Sequence, residues 1–221
     1  MRLLSVNADA KTVKGVKRGY LTGILYLIPS DVLCPGCSPG CRRVCLVSAG
    51  HGQMKSVYKA RARKTQMYLH SFQNFKKLLI QDIKELVKRA EHKSLTPCVR
   101  INGTSDIDIE KVFGDVLDMF EDVQFYDYTK VWSREATKKN YHLTYSRSEK
   151  TSVEDIEDMY YGGKGVAVVF DKVPEKWEGM KVVSGDDSDL RFLDPQGAII
   201  GLKAKGKARK DTSGFVVKVE Q

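Results

Sequence analysis

The sequence lacks the features that mark membrane and secreted proteins. It contains no apolar run long enough to span a bilayer, and its start, MRLLSVNADAKTVKG, has neither the apolar stretch nor the cleavage site of a signal peptide. Hydrophobic residues make up 42% of the chain and charged residues 29%, which is typical of a soluble globular protein with a real core. We therefore expect a cytoplasmic protein with no membrane partner.

Cysteine is scarce outside one short stretch. Four of the five cysteines lie within twelve residues, and Cys98 stands apart from them. Neighbours this close are poor disulfide partners, and a reducing cytoplasm does not favour such bonds. The cluster therefore predicts metal binding, whereas Cys98, early in a predicted strand, is expected to be a small buried apolar residue.

The clustered cysteines follow the spacing C-x2-C-x3-C-x3-C, as Cys34, Cys37, Cys41 and Cys45. Structural zinc sites usually combine two cysteine pairs from separated segments. A single short loop with four thiolates is more typical of a cubane iron–sulfur cluster, in which each iron takes a nearby ligand. We predict a [4Fe–4S] cluster. Zinc remains the alternative, as does ligation by three cysteines that leaves one iron open to substrate.

Negative charge is scarce in the first half of the chain. Residues 1–100 contain 19 Lys and Arg against 5 Asp and Glu, whereas residues 101–221 contain 18 against 23. A basic patch suits an anionic partner such as nucleic acid or a phosphorylated metabolite, although a solvated helix surface accounts for it equally well. A thiolate-bound cluster is itself negative, so Arg42 and Arg43 inside the loop are expected to stabilise it.

Hydrophobic periodicity predicts strands that alternate with helices. The predicted strands cover residues 2–7, 20–28, 97–102, 124–129, 141–146 and 165–170. The predicted helices cover residues 54–69, 72–91, 108–121, 132–139 and 152–161. Alternation of this kind predicts parallel strands joined by right-handed crossovers.

The predicted strands alternate between apolar and polar residues, whereas the central strands of a doubly wound sheet are apolar on both sides. One side is expected to lie under helices: Val99, Ile101, Tyr126, Tyr128, Tyr141, Leu143 and Tyr145. The other is expected to face the inside of a partly filled barrel: Arg100, Asn102, Asp127, Thr129, His142, Thr144 and Ser146.

We therefore predict an α/β fold, a partial (β/α) barrel with an N-terminal cysteine-rich cluster loop and a C-terminal β extension. The prediction treats residues 1–221 as a single domain. Its parts are the cluster loop at 31–52, the β/α repeats at 53–171 and the C-terminal strands at 172–221.

Polar residues follow the predicted strands at their carboxyl ends, where (β/α) barrels carry their chemistry and where the cysteine loop also begins. The predicted catalytic residues are Asp106, Asp127 and Lys130. The predicted residues for binding a small anionic or polar substrate are Arg100, Asn102, His142, Ser146 and Arg147. The structural alternatives are helix N-caps at Asp106, Ser133 and Ser152, an ion pair between Asp127 and Lys130, and a core position for His142.

Several segments occur in the order that is found in a known family. The cysteine run followed by CLVSAGHG, then RINGTSDI, FYDYTK, HLTYSRSE and DLRFLDPQGAIIGLKAKG, together resemble tailed-phage proteins catalogued as gene-product-88-like. The resemblance implies a phage-encoded protein that acts in the cytoplasm of a bacterial host. The predicted architecture is also similar to radical S-adenosylmethionine enzymes, whose C-x3-C-x2-C spacing and Gly-Gly-Glu segment this sequence does not have.

Two functions follow from these features. The first is an iron–sulfur enzyme, redox-active or Lewis-acidic, with its substrate in the polar mouth of the barrel. The second is a nucleic-acid-binding protein in which an iron–sulfur or zinc site is structural; its basic residues would include Lys203, Lys205, Lys207, Arg209 and Lys210. A phage effector that binds a host protein is a third possibility, which no residue favours.

Overall fold

Strands and helices alternate through residues 1–6 and 10–219, which a computed structural model of the chain describes. The strands are β1 Leu4–Val6, β2 Tyr20–Leu25, β3 Thr96–Arg100, β4 Gln124–Thr129, β5 Tyr141–Ser146, β6 Val166–Phe170, β7 Lys176–Trp177, β8 Met180–Ser184 and β9 Ile199–Lys203. The α-helices are α1 Ala10–Val16, α2 Pro39–Arg43, α3 Lys55–His70, α4 Phe72–Glu91, α5 Ile109–Met119 and α6 Val153–Tyr161. Short 3-10 helices cover Leu46–Ser48, Gly50–Gln53, Arg191–Leu193 and Gly206–Lys210.

The strands form one mixed sheet in the order β1-β2-β3-β4-β5-β6-β9-β8-β7. Strands β2 to β6 stand in chain order and pair in parallel, and β9 and β8 continue the parallel run. The end strands β1 and β7 pair antiparallel with their neighbours. No pairing joins β1 to β7 within the described residues, so the sheet is not closed there.

Helices α4 and α5 bury apolar stripes against one side of this sheet. The buried residues of α4 recur every three or four positions, as expected for an amphipathic helix: Phe75, Leu79, Ile83, Leu86 and Ala90. Those of α5 are Ile109, Phe113, Val116 and Leu117. Both stripes belong to one core with Val99 and Phe125 of the sheet. No helix in the described ranges is both long and apolar enough to cross a membrane.

The observed first residues of the helices show which of the three predicted N-caps are correct. Ser152 caps α6 in a capping box with Asp155, as predicted. Asp108 caps α5, so the predicted cap at Asp106 is wrong. The predicted helix at 132–139, with Ser133 as its cap, is also wrong, because these residues form turns and irregular structure. Residue 7 of the predicted first strand and residues 220–221 of the C-terminal part lie outside the described residues.

Strand β4 presents its two sides in the opposite sense from the prediction. Tyr126 pairs with His142, and Asp127 pairs with Leu143. Since paired residues point to the same side of a sheet, Tyr126 lies on the His142 side and Asp127 lies on the helix side. The assignment of tyrosine to the helix side and aspartate to the inner side is therefore wrong in this strand.

The reason is a segment that covers the second side of the sheet. Leu190 packs with Tyr126, and the ring of Phe192 contacts the ring of Tyr126 edge-on, with 5.4 Å between centroids. The hydroxyl of Tyr126 donates a hydrogen bond to Asp189 at 3.0 Å. The ring is thus buried on a side that the prediction treated as polar and partly open.

Candidate functional site

The cysteine loop lies against the loops that follow β3 and β4. The backbone N–H of Asp106, after β3, donates to the carbonyl of Leu33 at 2.7 Å. Gly36 lies so close to Lys130, after β4, that an added Cβ would stand 2.8 Å from the Lys130 carbonyl carbon. The loop therefore crosses the carboxyl ends of neighbouring parallel strands.

Glu149, after β5, holds the part of the loop between the second and third cysteines. Its carboxylate accepts hydrogen bonds from the Ser38 hydroxyl at 2.6 Å and from the Gly40 backbone N–H at 2.7 Å. Ser38 is also the N-cap of α2, where its side chain accepts from the Cys41 N–H. Burial raises the pKa of Glu149, but the hydrogen bonds from Ser38 and Gly40 outweigh it and leave that pKa below its ordinary value.

The four loop cysteines are free and half-buried. Burial, followed by the charge of Cys41 and a hydrogen bond between the two thiols, raises the pKa of Cys37 to about 12. Burial raises the pKa of Cys34 to about 11, with further contributions from Asp106, Cys45 and Cys41. The thiols thus lie within electrostatic range of one another.

The donor set fits a metal group by its chemistry. Four thiols on one loop match the ligands of an iron–sulfur cluster and also those of a zinc site with four cysteine ligands. In residues 1–6 and 10–219, however, no three His, Cys, Asp or Glu side chains stand in a ready coordinating arrangement. Binding therefore requires the thiols to close in and to lose their protons, which couples affinity to pH.

Two arginines lie near the cysteines: Arg42 within the loop and Arg61 on α3. Arg42 forms an exposed ion pair with Asp31. The Arg61 guanidinium lies over the ring of Tyr26, 4.9 Å from its centroid. Burial lowers the pKa of Arg61, and the charges of Tyr26 and Cys45 partly offset that effect. Arg61 is therefore a cation within electrostatic range of the last cysteine.

Asp106 and Lys130, both predicted catalytic residues, are in contact at this edge. Asp106 accepts from the Lys130 backbone N–H at 2.8 Å and from Arg134 Nη1 at 2.6 Å. The Lys130 ammonium lies over the Phe215 ring, 5.6 Å from its centroid. Both carboxylate oxygens of Asp106 thus accept a hydrogen bond, while the Lys130 side chain extends to the ring of Phe215.

Asp127, the third predicted catalytic residue, is fully buried on the helix side. One carboxylate oxygen accepts from the Asn102 backbone N–H at 2.7 Å, and the other has no hydrogen-bond partner in the described structure. Burial raises the pKa of Asp127 to about 8, although Arg100 and the Asn102 hydrogen bond oppose the shift. Its contacts hold the start of the loop that carries Asp106.

Arg100, predicted to bind substrate, is fixed in place. Its guanidinium donates to Asp189 at 3.0 and 3.1 Å and lies over the ring of Tyr128, 4.5 Å from the centroid. The side chain is 17% exposed, and its buried Nε has no partner among the described residues. Tyr128 and Tyr26, the two rings under the arginines, were not predicted as site residues.

Three more predicted substrate-binding residues lie at the carboxyl edge and have structural contacts. The Asn102 amide organises the following loop by bonding Ile107 and Ser105. Arg147 Nη1 donates to two carbonyls of the C-terminal segment, at 2.9 and 3.2 Å. Ser146 is buried at the end of β5.

His142 lies at the other end of β5. It lines a cavity of about 270 Å³ together with Thr144, Arg191 and Asp194. Burial, and then the charge of Arg191, lowers the pKa of His142. The structure therefore places His142 at the amino edge of the sheet and apart from the cysteine loop.

Sequence reasoning left out Glu149 as a site residue, and no local signal identifies its partners, because Ser38 and Gly40 are more than one hundred residues away. The pair Ser38-Pro39, by contrast, is a helix-start signature that would have placed α2.

Comparisons with known proteins identify the family. The model of a family described as gene product 88 matches residues 2–219. A search of curated proteins and a search of solved structures each gave no match. Nothing in these comparisons supports the likeness to radical S-adenosylmethionine enzymes. Since the match covers almost the whole sequence, the chain belongs to the gene product 88 family of phage proteins.

Proposed function

We propose that the cysteine loop binds a [4Fe–4S] cluster and that the protein is an iron–sulfur enzyme acting on a small anionic or polar substrate. One observation carries the proposal: the four cysteines share one loop, which is bonded to the segments after β3 and β5 and packed against the segment after β4. A cluster there would adjoin the polar residues of the same edge. Zinc is the alternative occupant.

The proposal includes a partial barrel. Its support is the chain order and parallel pairing of β2 to β6, with the apolar stripes of α4 and α5 on one side only. The opposite side is the concave side in this interpretation, and Asp189 and Phe192 cover the part of it that contains Arg100 and Tyr126. The mouth would then lie under the cysteine loop, as in (β/α) barrels that bind substrates at the carboxyl edge.

The residues of the chain have distinct roles in this proposal. Arg100 binds an anionic group of the substrate, because Asp189 and Tyr128 hold its guanidinium in one orientation. The Lys130 ammonium supplies a second cation or a proton at the edge. Asp106 and Asp127 act as positioning residues, since their oxygens bond the backbone of the edge loops.

The bound cluster would supply electron transfer or a Lewis-acidic iron. Arg61 lies near Cys45 and would stabilise the negative charge of the ligated thiolates.

Anaerobic purification with iron, sulfide and zinc analysis tests the proposal. We expect a brown protein with about four irons and four sulfides per chain. Cys37→Ser and Cys41→Ser should lose most of the iron. Cys98→Ala is the matched control, because Cys98 is fully buried in β3 with its thiol 3.1 Å from the Thr22 hydroxyl. A colourless protein with stoichiometric zinc, or equal iron in the loop variants and the control, would refute the cluster.

A further inference from the structure

A basic segment from late in the chain packs beside the cysteine loop. The 3-10 helix Gly206–Lys210 packs on the 3-10 helix Leu46–Ser48, which directly follows Cys45. An added Cβ at Gly206 would lie 3.0 Å from the Ala49 Cβ, so the contact is close. The C-terminal basic run is therefore part of the same surface as the cysteine loop.

A small apolar core fixes this arrangement. Ala208, in the middle of the basic run, is buried with Val44 of the loop and with Phe215 and Val216. Because Ala208 points inward, the charged residues beside it point to solvent. Lys207, Arg209 and Lys210 are all exposed.

Further cations extend the patch along α3, which begins just after the 3-10 helix Gly50–Gln53. We define the basic surface as six exposed residues: Arg43, Lys55, Lys59, Lys207, Arg209 and Lys210. None of the six forms an ion pair with any part of the chain that the structure describes.

The acidic residues near this surface are already engaged. Asp31 pairs with Arg42. Asp211 is buried and accepts from the Ser213 hydroxyl and the Val216 N–H. Asp211 keeps its negative charge in these bonds and lies within electrostatic range of Arg43, so it offsets one cation, and the basic surface retains a net positive charge for an external anion.

The distribution of side chains favours a polyphosphate strand over a lipid surface. A membrane-binding helix carries its cations opposite a wide apolar face. On α3 the exposed residues of the first turns mix lysines with a single aromatic ring, Tyr58, which is 59% exposed. Exposed Lys and Arg from separate segments suit the regularly spaced phosphates of a nucleic acid, and a ring among them can stack on a base.

We propose that the basic surface binds the phosphate backbone of a nucleic acid next to the cysteine loop. The interface consists of protein cations, so it stands whether or not the loop carries iron. If both proposals hold, the nucleic acid lies within reach of the cluster.

Fluorescence anisotropy with labelled duplex DNA, single-stranded DNA and single-stranded RNA of one length tests this interface, and the iron content is measured in the same anaerobic sample. We expect the logarithm of the binding constant to fall linearly with the logarithm of salt concentration, with a slope of roughly −3 to −5 for four to six phosphate contacts. The triple variant Lys207→Glu, Arg209→Glu, Lys210→Glu should bind more than tenfold more weakly and lose roughly 2 to 3 units of that slope.

The control carries the same charge change on α4 and just beyond it, as Lys84→Glu, Lys88→Glu and Lys93→Glu, which are exposed positions outside the basic surface. A milder variant, Lys207→Gln with Lys210→Gln, keeps the test valid if the charge reversal impairs folding. Equal weakening in test and control variants would overturn the proposal. So would sedimentation with phosphatidylglycerol vesicles in the absence of any DNA or RNA binding. If the anaerobic protein contains no iron but still binds DNA or RNA, that result counts against the proposed cluster and leaves the proposed nucleic-acid interface standing.

Discussion

The carboxylate of Glu149 accepts a hydrogen bond from the hydroxyl of Ser38 at 2.6 Å, which ties the segment after β5 to the cysteine loop. A second bond, from the Gly40 N–H, makes the attachment two-point. The cysteine loop is therefore attached at two points to a charged residue from a distant part of the chain.

Glu149→Gln keeps the size of this side chain and removes its charge. We expect it to lower the free energy of unfolding at neutral pH by about 1–3 kcal/mol, because hydrogen bonds to a charged acceptor are the stronger ones. The folded-state pKa of Glu149 is depressed, so its contribution is present above the unfolded pKa and is lost as pH falls through the folded value. Denaturant melts should thus separate the two proteins at pH 7 and bring them together in acid. A constant gap at all pH values would contradict this reasoning.

Gly36→Ala should displace the cysteine loop. Its added Cβ would meet backbone atoms of Lys130 at 2.8 to 3.0 Å, and a backbone cannot rotate away as a side chain can. We expect a cost of about 1–3 kcal/mol, typical of overpacking, and faster proteolysis within the loop. The control is Gly114→Ala in α5, where the nearest atom is Lys138 Cε at 3.6 Å. That change should be neutral or stabilising, since alanine favours helix.

The contribution of Asp127 to the free energy of unfolding should depend on pH with the opposite sign from that of Glu149. Because burial raises its pKa to about 8, the folded chain binds a proton that the unfolded chain has released between about pH 4 and pH 8. Stability from this group therefore falls as pH rises across that window, by up to about 1.4 kcal/mol per pH unit. Asp127→Asn cannot ionise, so it should gain on the wild type from pH 5 to pH 8. Parallel stability curves would show that Asp127 is ionised in the folded protein.

Asp189→Asn should be strongly destabilising, because it leaves Arg100 as a buried cation without its partner. Removing one member of a buried pair costs about 3–5 kcal/mol. The double variant Arg100→Met with Asp189→Leu removes both charges, and we expect it to recover much of that loss. A thermodynamic cycle over the single variants Arg100→Met and Asp189→Leu and their double variant measures the coupling. Additive effects would mean that the two residues stabilise the fold independently.

The elements with strong local patterns could be predicted from sequence. The stripe of α4 gave bounds of 72–91, which are those observed, and β4 and β5 also have their predicted bounds. The failures depend on distant partners. Residues 132–139 contain helix-forming residues, but Arg134 bonds Asp106 and Ile107, and these contacts hold the segment as a loop.

The position of the cysteine loop was predictable from sequence, but its attachments were not, and the ligand role of its cysteines stays a prediction. Cysteine spacing and the carboxyl-edge rule placed the loop from sequence alone. The sides of β4 were not predictable, because Tyr126 finds a covering partner in Phe192 and Asp189 more than sixty residues later. Apolar character alone does not reveal which of two buried sides a tyrosine occupies.

Strand β9 comes late in the chain yet lies between β6 and β8. During synthesis, a nascent chain that stops before Ile199 leaves both of those strands with unpaired backbone along one side. Exposed strand edges of this kind invite intermolecular pairing. The insertion of β9, and with it the docking of the basic run beside the cysteines, must therefore be a late step of folding, so a chain shortened before that strand should aggregate.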